Sequence, residues 1–160
     1  MASLGQRALD ALGVAYASHE YDYRKKGAIA AAEALRAELG ALLKTLVVQL
    51  ADGSFVLLLV PGDRDASMRA LARHLGVKDA ELASERDAER VTGYLVGGIG
   101  PFGVRTALPI FVDIAASRFD HVWVNGGRRG LLLELDLDAL VAAAGAQLVD
   151  VCIDPVSRKG

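Results

Sequence analysis

Apolar side chains recur every three or four residues in several parts of the chain, as they do on one face of a helix. Residues 4–12 have this spacing, and Gly13 ends it. Ser3 and Gln6 fit a capping box at the start of the same segment. A first helix is therefore expected at the start of the chain. The same spacing predicts further helices over residues 28–39, 65–75, 84–90 and 136–144.

Short runs of apolar and β-branched residues predict strands between these helices. Asp52-Gly53 joins two of the runs and is a strong signal for a hairpin turn. Because strands and helices mix without strict alternation, we expect an α+β fold, a single domain with a mixed, mostly antiparallel sheet flanked by helices. The predicted strands cover residues 14–21, 43–50, 54–60, 108–113, 121–125, 131–135 and 147–153.

The charge balance argues against a general attraction for nucleic acid. Lys and Arg number 18 against 20 Asp and Glu, which gives a net charge of -2. Any contact with RNA must then be local, and the candidates are Lys25 and Lys26 in one basic turn and Arg128 and Arg129 in another. Ordinary solvated turn charge explains the same residues, and the charge pattern leaves both interpretations open.

Metal and cysteine chemistry find little support. The chain has 160 residues, of which 52% are hydrophobic, enough for one sizeable core, and the single cysteine permits no internal disulfide. The three histidines are far apart, so we expect no metal and no cofactor.

No apolar run reaches the ~18 residues of a membrane helix, and we expect a cytoplasmic protein. We expect residues 1–154 to form the domain and residues 155–160 a flexible tail.

Two local features carry candidate chemistry. Lys44 opens an otherwise apolar strand, where its ammonium can reach a phosphate or an ester carbonyl, although a solvated lysine at a strand end explains it too. Glycines crowd around Pro101, whose fixed φ stiffens the backbone so that neighbouring amides can form an oxyanion hole. A plain wide turn is the alternative. Neither a P-loop nor a dinucleotide-binding pattern is present.

The chain resembles a known family at several motifs that occur in the same order. These are residues 44–48 (KTLVV), residues 92–99 (TGYLVGGI) followed by Pro101, and residues 126–131 (GGRRGL). They resemble the YbaK/prolyl-tRNA synthetase editing-domain family of free-standing aminoacyl-tRNA deacylases. The resemblance implies a compact mixed sheet, partly closed like a barrel, with helices around it and no metal.

The same resemblance implies which residues form the site. It makes Lys44 essential, and it assigns the aminoacyl group and the terminal adenosine of tRNA to the loop from Gly97 to Pro101. Amides at Gly98 and Gly100 are then expected to stabilise the negative charge that develops on the ester carbonyl oxygen. The residues matched to substrate binding are Tyr21, Thr45, Gly97, Ile99, Pro101, Asn125, Gly126 and Leu132.

These matches predict a trans-editing deacylase that clears mischarged tRNA, with Cys-tRNA(Pro) as the expected substrate and prolyl-tRNA synthetase as a possible partner. Either the substrate thiol or a water attacks the ester. Asn125 stands where YbaK-type members have serine, and Leu132 where they have aspartate. These departures leave two alternatives, a deacylase for alanine, serine or threonine and a non-catalytic binding module. We expect neither a membrane nor sequence-specific DNA as a partner.

Overall fold

The strands dominate the computed structural model, which describes residues 1–24 and 26–153 of the chain. Five α-helices lie within these residues: α1 Leu4–Ala11, α2 Ala28–Leu35, α3 Met68–Leu75, α4 Glu85–Thr92 and α5 Leu137–Ala144. The strands are β1 Ala17–Glu20, β2 Leu43–Leu50, β3 Phe55–Pro61, β4 Asp65–Ala66, β5 Ala80–Leu82, β6 Ile110–Asp113, β7 His121–Asn125, β8 Leu131–Asp136, β9 Gln147–Val149 and β10 Cys152–Ile153.

The predicted hairpin forms the centre of the largest sheet. β2 pairs antiparallel with β3 from Leu43 opposite Pro61 to Gln49 opposite Phe55. Gly53 takes a positive φ of 87° in the turn between them, which a residue without Cβ adopts readily. The five strands run in the order β5-β2-β3-β6-β9, with β6 and β9 parallel to β3. The sheet is therefore mixed, as predicted.

The strands of the described residues form three sheets, which do not close into a complete barrel. β1, β8 and β7 make an antiparallel sheet, and β4 pairs with β10. A single bridge between Leu42 and Trp123 joins the three-stranded and five-stranded sheets. Five of the seven strand pairings in the described residues are antiparallel. The α+β class is confirmed, whereas closure of the sheet is only partial.

Several predicted elements have different ends in the structure. The helix predicted over residues 65–75 begins only at Met68, because Asp65 and Ala66 form β4. α2 stops at Leu35 and not at Leu39, because Arg36 takes the left-handed conformation and the Ala37 amide bonds back to the Ala32 carbonyl. The last strand is divided in two. The buried Asp113 carboxylate accepts the amides of Val151 and Cys152, which breaks the pairing after β9.

Helices cover both faces of the large sheet. α3 packs on the face that carries Val48, Leu58 and Val60, and α4 packs on the face that carries Val47 and Leu57. α1 and α5 close a third cluster between the two larger sheets. No helix in the described part of the chain is long and apolar enough to cross a membrane.

The first helix lies behind the turn between β7 and β8. The predicted capping box forms, with the Gln6 amide bonded to the Ser3 hydroxyl at 3.1 Å and the Ser3 amide bonded to Gln6 Oε1 at 2.8 Å. The Ser3 hydroxyl also donates to the Gly126 carbonyl at 2.6 Å. A Cβ on Gly5 would overlap the same carbonyl. The start of the chain is thereby fixed to this turn.

Candidate functional site

One cleft collects seven of the eleven residues predicted for catalysis and substrate binding, and the predicted catalytic residues Gly98 and Gly100 do not line it. It has a volume of about 290 Å³ and lies between α2, the start of β2, the glycine-rich loop after α4 and the turn between β7 and β8. The described residues that line it are Tyr21, Tyr23, Gly27, Ala28, Ala31, Leu42, Leu43, Lys44, Thr45, Val96, Gly97, Ile99, Asn125 and Leu132. Of the predicted substrate-binding residues, Pro101 and Gly126 do not line the cleft.

The glycine-rich loop packs so closely against its neighbours that its glycine positions have no room for a side chain. Gly97 has a φ of 92°, and a Cβ there would overlap the hydroxyl of Tyr23. A Cβ on Gly100 would overlap the backbone carbonyl of Asn125. The glycines thus allow the loop to lie directly on the turn between β7 and β8, which explains why they cluster here.

The amides of this loop differ in whether they have partners. The Gly98 amide donates to the Leu95 carbonyl at 2.8 Å, so it is already occupied. Within the described residues, the amides of Ile99 and Gly100 have no hydrogen-bond partner. An oxyanion role for Gly98 requires that its bond to Leu95 be broken, whereas Gly100 needs no such change. The role of Gly100 stays a prediction.

Lys44 and Thr45 enter the site from the first residues of β2. The Lys44 ammonium donates to the Arg64 carbonyl at 3.1 Å, so the connection between β3 and β4 holds it, and no group of the glycine loop does. Side chains alternate along a strand, which sends Thr45 to the other face. Within the described chain, the buried Thr45 hydroxyl has no hydrogen-bond partner. Both residues form part of the cleft wall.

The two positions that depart from the YbaK pattern contribute differently. Asn125 Nδ2 donates to the Gly97 carbonyl at 3.2 Å, and its Oδ1 accepts the Gly127 amide at 2.7 Å. Its amide group therefore links the turn to the glycine loop. Leu132 is buried with Trp123 and makes the cleft wall apolar. No acidic side chain occurs among the described residues that line the cleft.

The basic residues predicted to contact tRNA largely bond within the protein. Arg128 pairs with Glu20 at 2.8 Å and donates to the Met1 carbonyl at 3.1 Å. Arg129 Nε donates to the Val96 carbonyl at 2.9 Å, and its guanidinium lies 5.5 Å from the centre of the Tyr23 ring. Lys26 is exposed, and Lys25 lies outside the described residues. Contact of these residues with tRNA stays a prediction.

Sequence reasoning missed several residues of the cleft. Tyr23, Ala28, Ala31 and Val96 line it, and of these only Val96 lies in one of the quoted motifs, where it was not singled out. Tyr23 carried one usable signal, since it lies two residues after Tyr21 at the end of a strand. Ala28 and Ala31 reach the cleft because α2 packs beside Leu132 and Leu42. Such long-range packing leaves no local trace in the sequence.

Comparisons with known proteins agree with this geometry. The model of the aminoacyl-tRNA editing domain family matches residues 24–143, three quarters of the chain. EbsC of Enterococcus faecalis, provisionally named a Cys-tRNA(Pro)/Cys-tRNA(Cys) deacylase, is 29% identical over 140 residues, which cover 86% of this chain and 85% of EbsC. The proline–tRNA ligase of Geobacter metallireducens is 39% identical over 90 residues, which are 56% of this chain and only 15% of that enzyme.

Solved structures show the same fold. One, provisionally described as a trans-editing enzyme for prolyl-tRNA synthetase, has 29% identity and a TM-score of 0.83, and the match covers 92% of this chain and 94% of that one. Another, the hypothetical protein APE2540, has 27% identity and a TM-score of 0.86 over 94% and 99% of the two chains. The family match, the shared fold and the common motifs together show that this chain belongs to the aminoacyl-tRNA editing domain family.

Proposed function

We propose that this protein removes a small amino acid from mischarged tRNA and that Cys-tRNA(Pro) is its principal substrate. The observation that carries the proposal is that the cleft brings the start of β2, with Lys44 and Thr45, together with Gly97 and Ile99 of the glycine loop. The name of EbsC supports the choice of cysteine. Prolyl-tRNA synthetase is the partner we propose, because the proline–tRNA ligase of Geobacter metallireducens contains a segment similar to this chain.

The cleft suits a small, uncharged side chain attached to an ester. Ala28, Ala31 and Leu132 give it an apolar wall, and its volume of about 290 Å³ is near the lower end for ligand pockets. The unpaired amides of Ile99 and Gly100 lie in the loop that forms the opposite wall. In the proposed complex they face the ester carbonyl, where negative charge develops, and one such donor contributes ~3 kcal/mol.

The reaction needs no nucleophile from the protein. In the proposed route, the thiol sulfur of the cysteinyl group attacks the carbonyl carbon of the ester that joins the same cysteine to the tRNA. A C–S bond forms, and the C–O bond to the ribose breaks. The thiol proton passes to the leaving ribose oxygen, which releases free tRNA and a cyclic thiolactone. A substrate without a thiol requires water as the nucleophile and yields the free amino acid. The Lys44 ammonium holds the phosphate or the ester in either case.

Cys152 is not expected to take part. Burial and, to a smaller extent, the neighbouring Asp113 carboxylate raise the pKa of its thiol to about 12, so the reactive thiolate is nearly absent at neutral pH. A Cys152→Ala variant should deacylate within about twofold of the wild type. The check is kcat/KM for both proteins on the same charged tRNA, and a drop of tenfold or more would show that the thiol participates.

The proposal is tested with tRNA(Pro) charged separately with cysteine, alanine, serine, threonine and proline. We expect the cysteinyl ester to be lost fastest, with some loss of other small amino acids, because one methylene changes binding by only ~1–3 kcal/mol. Faster loss of alanine than of cysteine would reassign the specificity to an apolar pocket set by Leu132. Release at the uncatalysed rate for all five, with tight binding of a non-hydrolysable analogue, would indicate a binding module.

A further inference from the structure

Side chains form hydrogen bonds with both backbone polar atoms of Val96, its amide nitrogen and its carbonyl oxygen. The Val96 amide donates to Glu89 Oε2 at 2.8 Å, and the Val96 carbonyl accepts Arg129 Nε at 2.9 Å. Glu89 belongs to α4, whereas Arg129 lies in the turn between β7 and β8. Because each bond has one charged partner, both are stronger than bonds between neutral groups. Two separate elements thus fix one residue of the loop.

This residue lies directly before the flexible part of the site. Val96 and Gly97 line the cleft, and the unpaired amides of Ile99 and Gly100 follow within four residues. Three of the four residues after Val96 are glycine, so this backbone has little intrinsic stiffness. The position of the unpaired amides therefore depends on contacts made by Val96.

Arg129 also connects the loop to a third segment. Its guanidinium lies 5.5 Å from the centre of the Tyr23 ring, and the Tyr23 hydroxyl lies against Gly97. Arg128, the preceding residue, instead pairs with Glu20 on β1. Although both arginines carry the same charge in the same turn, only the Arg129 side chain hydrogen-bonds to the loop that lines the cleft, whereas Arg128 approaches that loop through its backbone. Comparison of the two arginines therefore distinguishes a role of Arg129 in holding the loop from an attraction for tRNA that both positive charges would share.

We propose that Glu89 and Arg129 are positioning residues, which hold Val96 so that the amides of Ile99 and Gly100 face the ester carbonyl of the substrate. Neither residue touches the reacting atoms. The inference rests on the proposed deacylase function, and it adds a role for Glu89, which no sequence motif indicated. For Arg129, which is exposed, it replaces a contact with tRNA by a contact with the backbone of the loop that lines the cleft.

The role of Glu89 is tested by comparing three variants with the wild type. Glu89→Ala leaves the Val96 amide without an acceptor, and we expect kcat to fall about 10- to 100-fold while KM changes less, because a small displacement of positioned groups has that effect. Glu89→Gln keeps a carbonyl oxygen as acceptor and should restore most of kcat. Glu85→Ala removes a carboxylate from the exposed first turn of the same helix and should leave kcat unchanged.

The role of Arg129 is tested against its neighbour. Arg129→Ala should lower kcat, whereas Arg128→Ala should at most raise KM in a salt-dependent manner, as expected for a contact with phosphate. Because Glu89 and Arg129 hold the same residue, the Glu89→Ala/Arg129→Ala double variant should lose little more kcat than the more impaired single variant. Equal effects of the two arginines, on KM alone, would overturn the inference.

Amide hydrogen exchange provides a readout that does not need activity. In Glu89→Ala and Arg129→Ala, exchange of the hydrogen-bonded amides of Val96 and Gly98 should accelerate at least about tenfold, while exchange in α3 stays at the wild-type rate. Glu89→Gln should retain the wild-type rate in the loop. Unchanged exchange in both alanine variants would overturn the inference. If the wild type deacylates none of the five charged tRNAs, the proposed function fails, and exchange still decides whether these residues hold the loop.

Discussion

Replacement of Lys44 by alanine should lower the rate of deacylation at least about 100-fold while the protein remains folded. Within the described residues, the Lys44 ammonium donates one hydrogen bond, to the Arg64 carbonyl at 3.1 Å. Loss of one such bond costs only ~1 kcal/mol of folding stability. Loss of a cation aimed at a phosphate or a developing oxyanion costs several-fold more in the transition state. Single-turnover deacylation and urea unfolding of the same preparation measure both effects.

Two further variants make the Lys44 result specific. Lys78→Ala removes an exposed lysine after α3, at the end of the large sheet remote from the start of β2, and should deacylate at the wild-type rate. Lys44→Arg keeps the charge but spreads it over a planar group, so only partial activity is expected. If Lys44→Ala deacylates as well as Lys78→Ala, the assigned role of Lys44 is wrong.

A methyl group at Gly100 should be nearly as damaging as the loss of Lys44. The added Cβ would overlap the Asn125 carbonyl oxygen and lie 2.9 Å from the carbonyl carbon. These are backbone atoms of a turn that is closed by the Gly126–Leu131 hydrogen bond at 3.0 Å, so they cannot yield easily. We expect kcat/KM to fall about 100-fold or more. Overpacking of this kind also costs ~1–3 kcal/mol of stability, which urea unfolding measures.

The control for Gly100→Ala is a glycine replacement that weakens the fold but leaves the cleft untouched. Gly145 ends α5 with a φ of 59°, and a Cβ there would meet nothing within 4 Å. Gly145→Ala should therefore lose ~1 kcal/mol of stability through backbone strain and keep wild-type activity. Similar losses of activity in both variants would mean that stability, and not the fit of the loop, limits the assay.

The sequence predicted those parts of the fold that local signals control. Asp52-Gly53 defined the hairpin, and the Ser3 capping box defined the first helix, because each signal acts within four residues. The end of α2 and the division of the last strand escaped prediction. The first follows from a left-handed arginine, and the second from a buried carboxylate 38 residues away in sequence from the Val151 amide that it accepts.

The site was predictable to a similar extent. Short motifs pointed to Lys44, Thr45 and the glycine loop, and the structure places residues of both in one cleft. What each polar group bonds to could not be read from the motifs. Gly98 has its amide occupied by Leu95, and Arg129 contacts Val96. The partner of Arg129 depends on how the glycine loop packs against a turn that is distant in sequence, and residue spacing along the chain does not determine that packing.

The contact between the first residues and the turn between β7 and β8 couples the start of the described chain to the support of the cleft. Met1 contributes its carbonyl to Arg128, and Ser3 donates its hydroxyl to the Gly126 carbonyl. A residue exchanged, added or removed at this end of the chain therefore acts on the support of the pocket. A tag or fusion partner attached before Met1 would therefore be expected to alter the turn that borders the cleft, even though it lies outside the cleft itself.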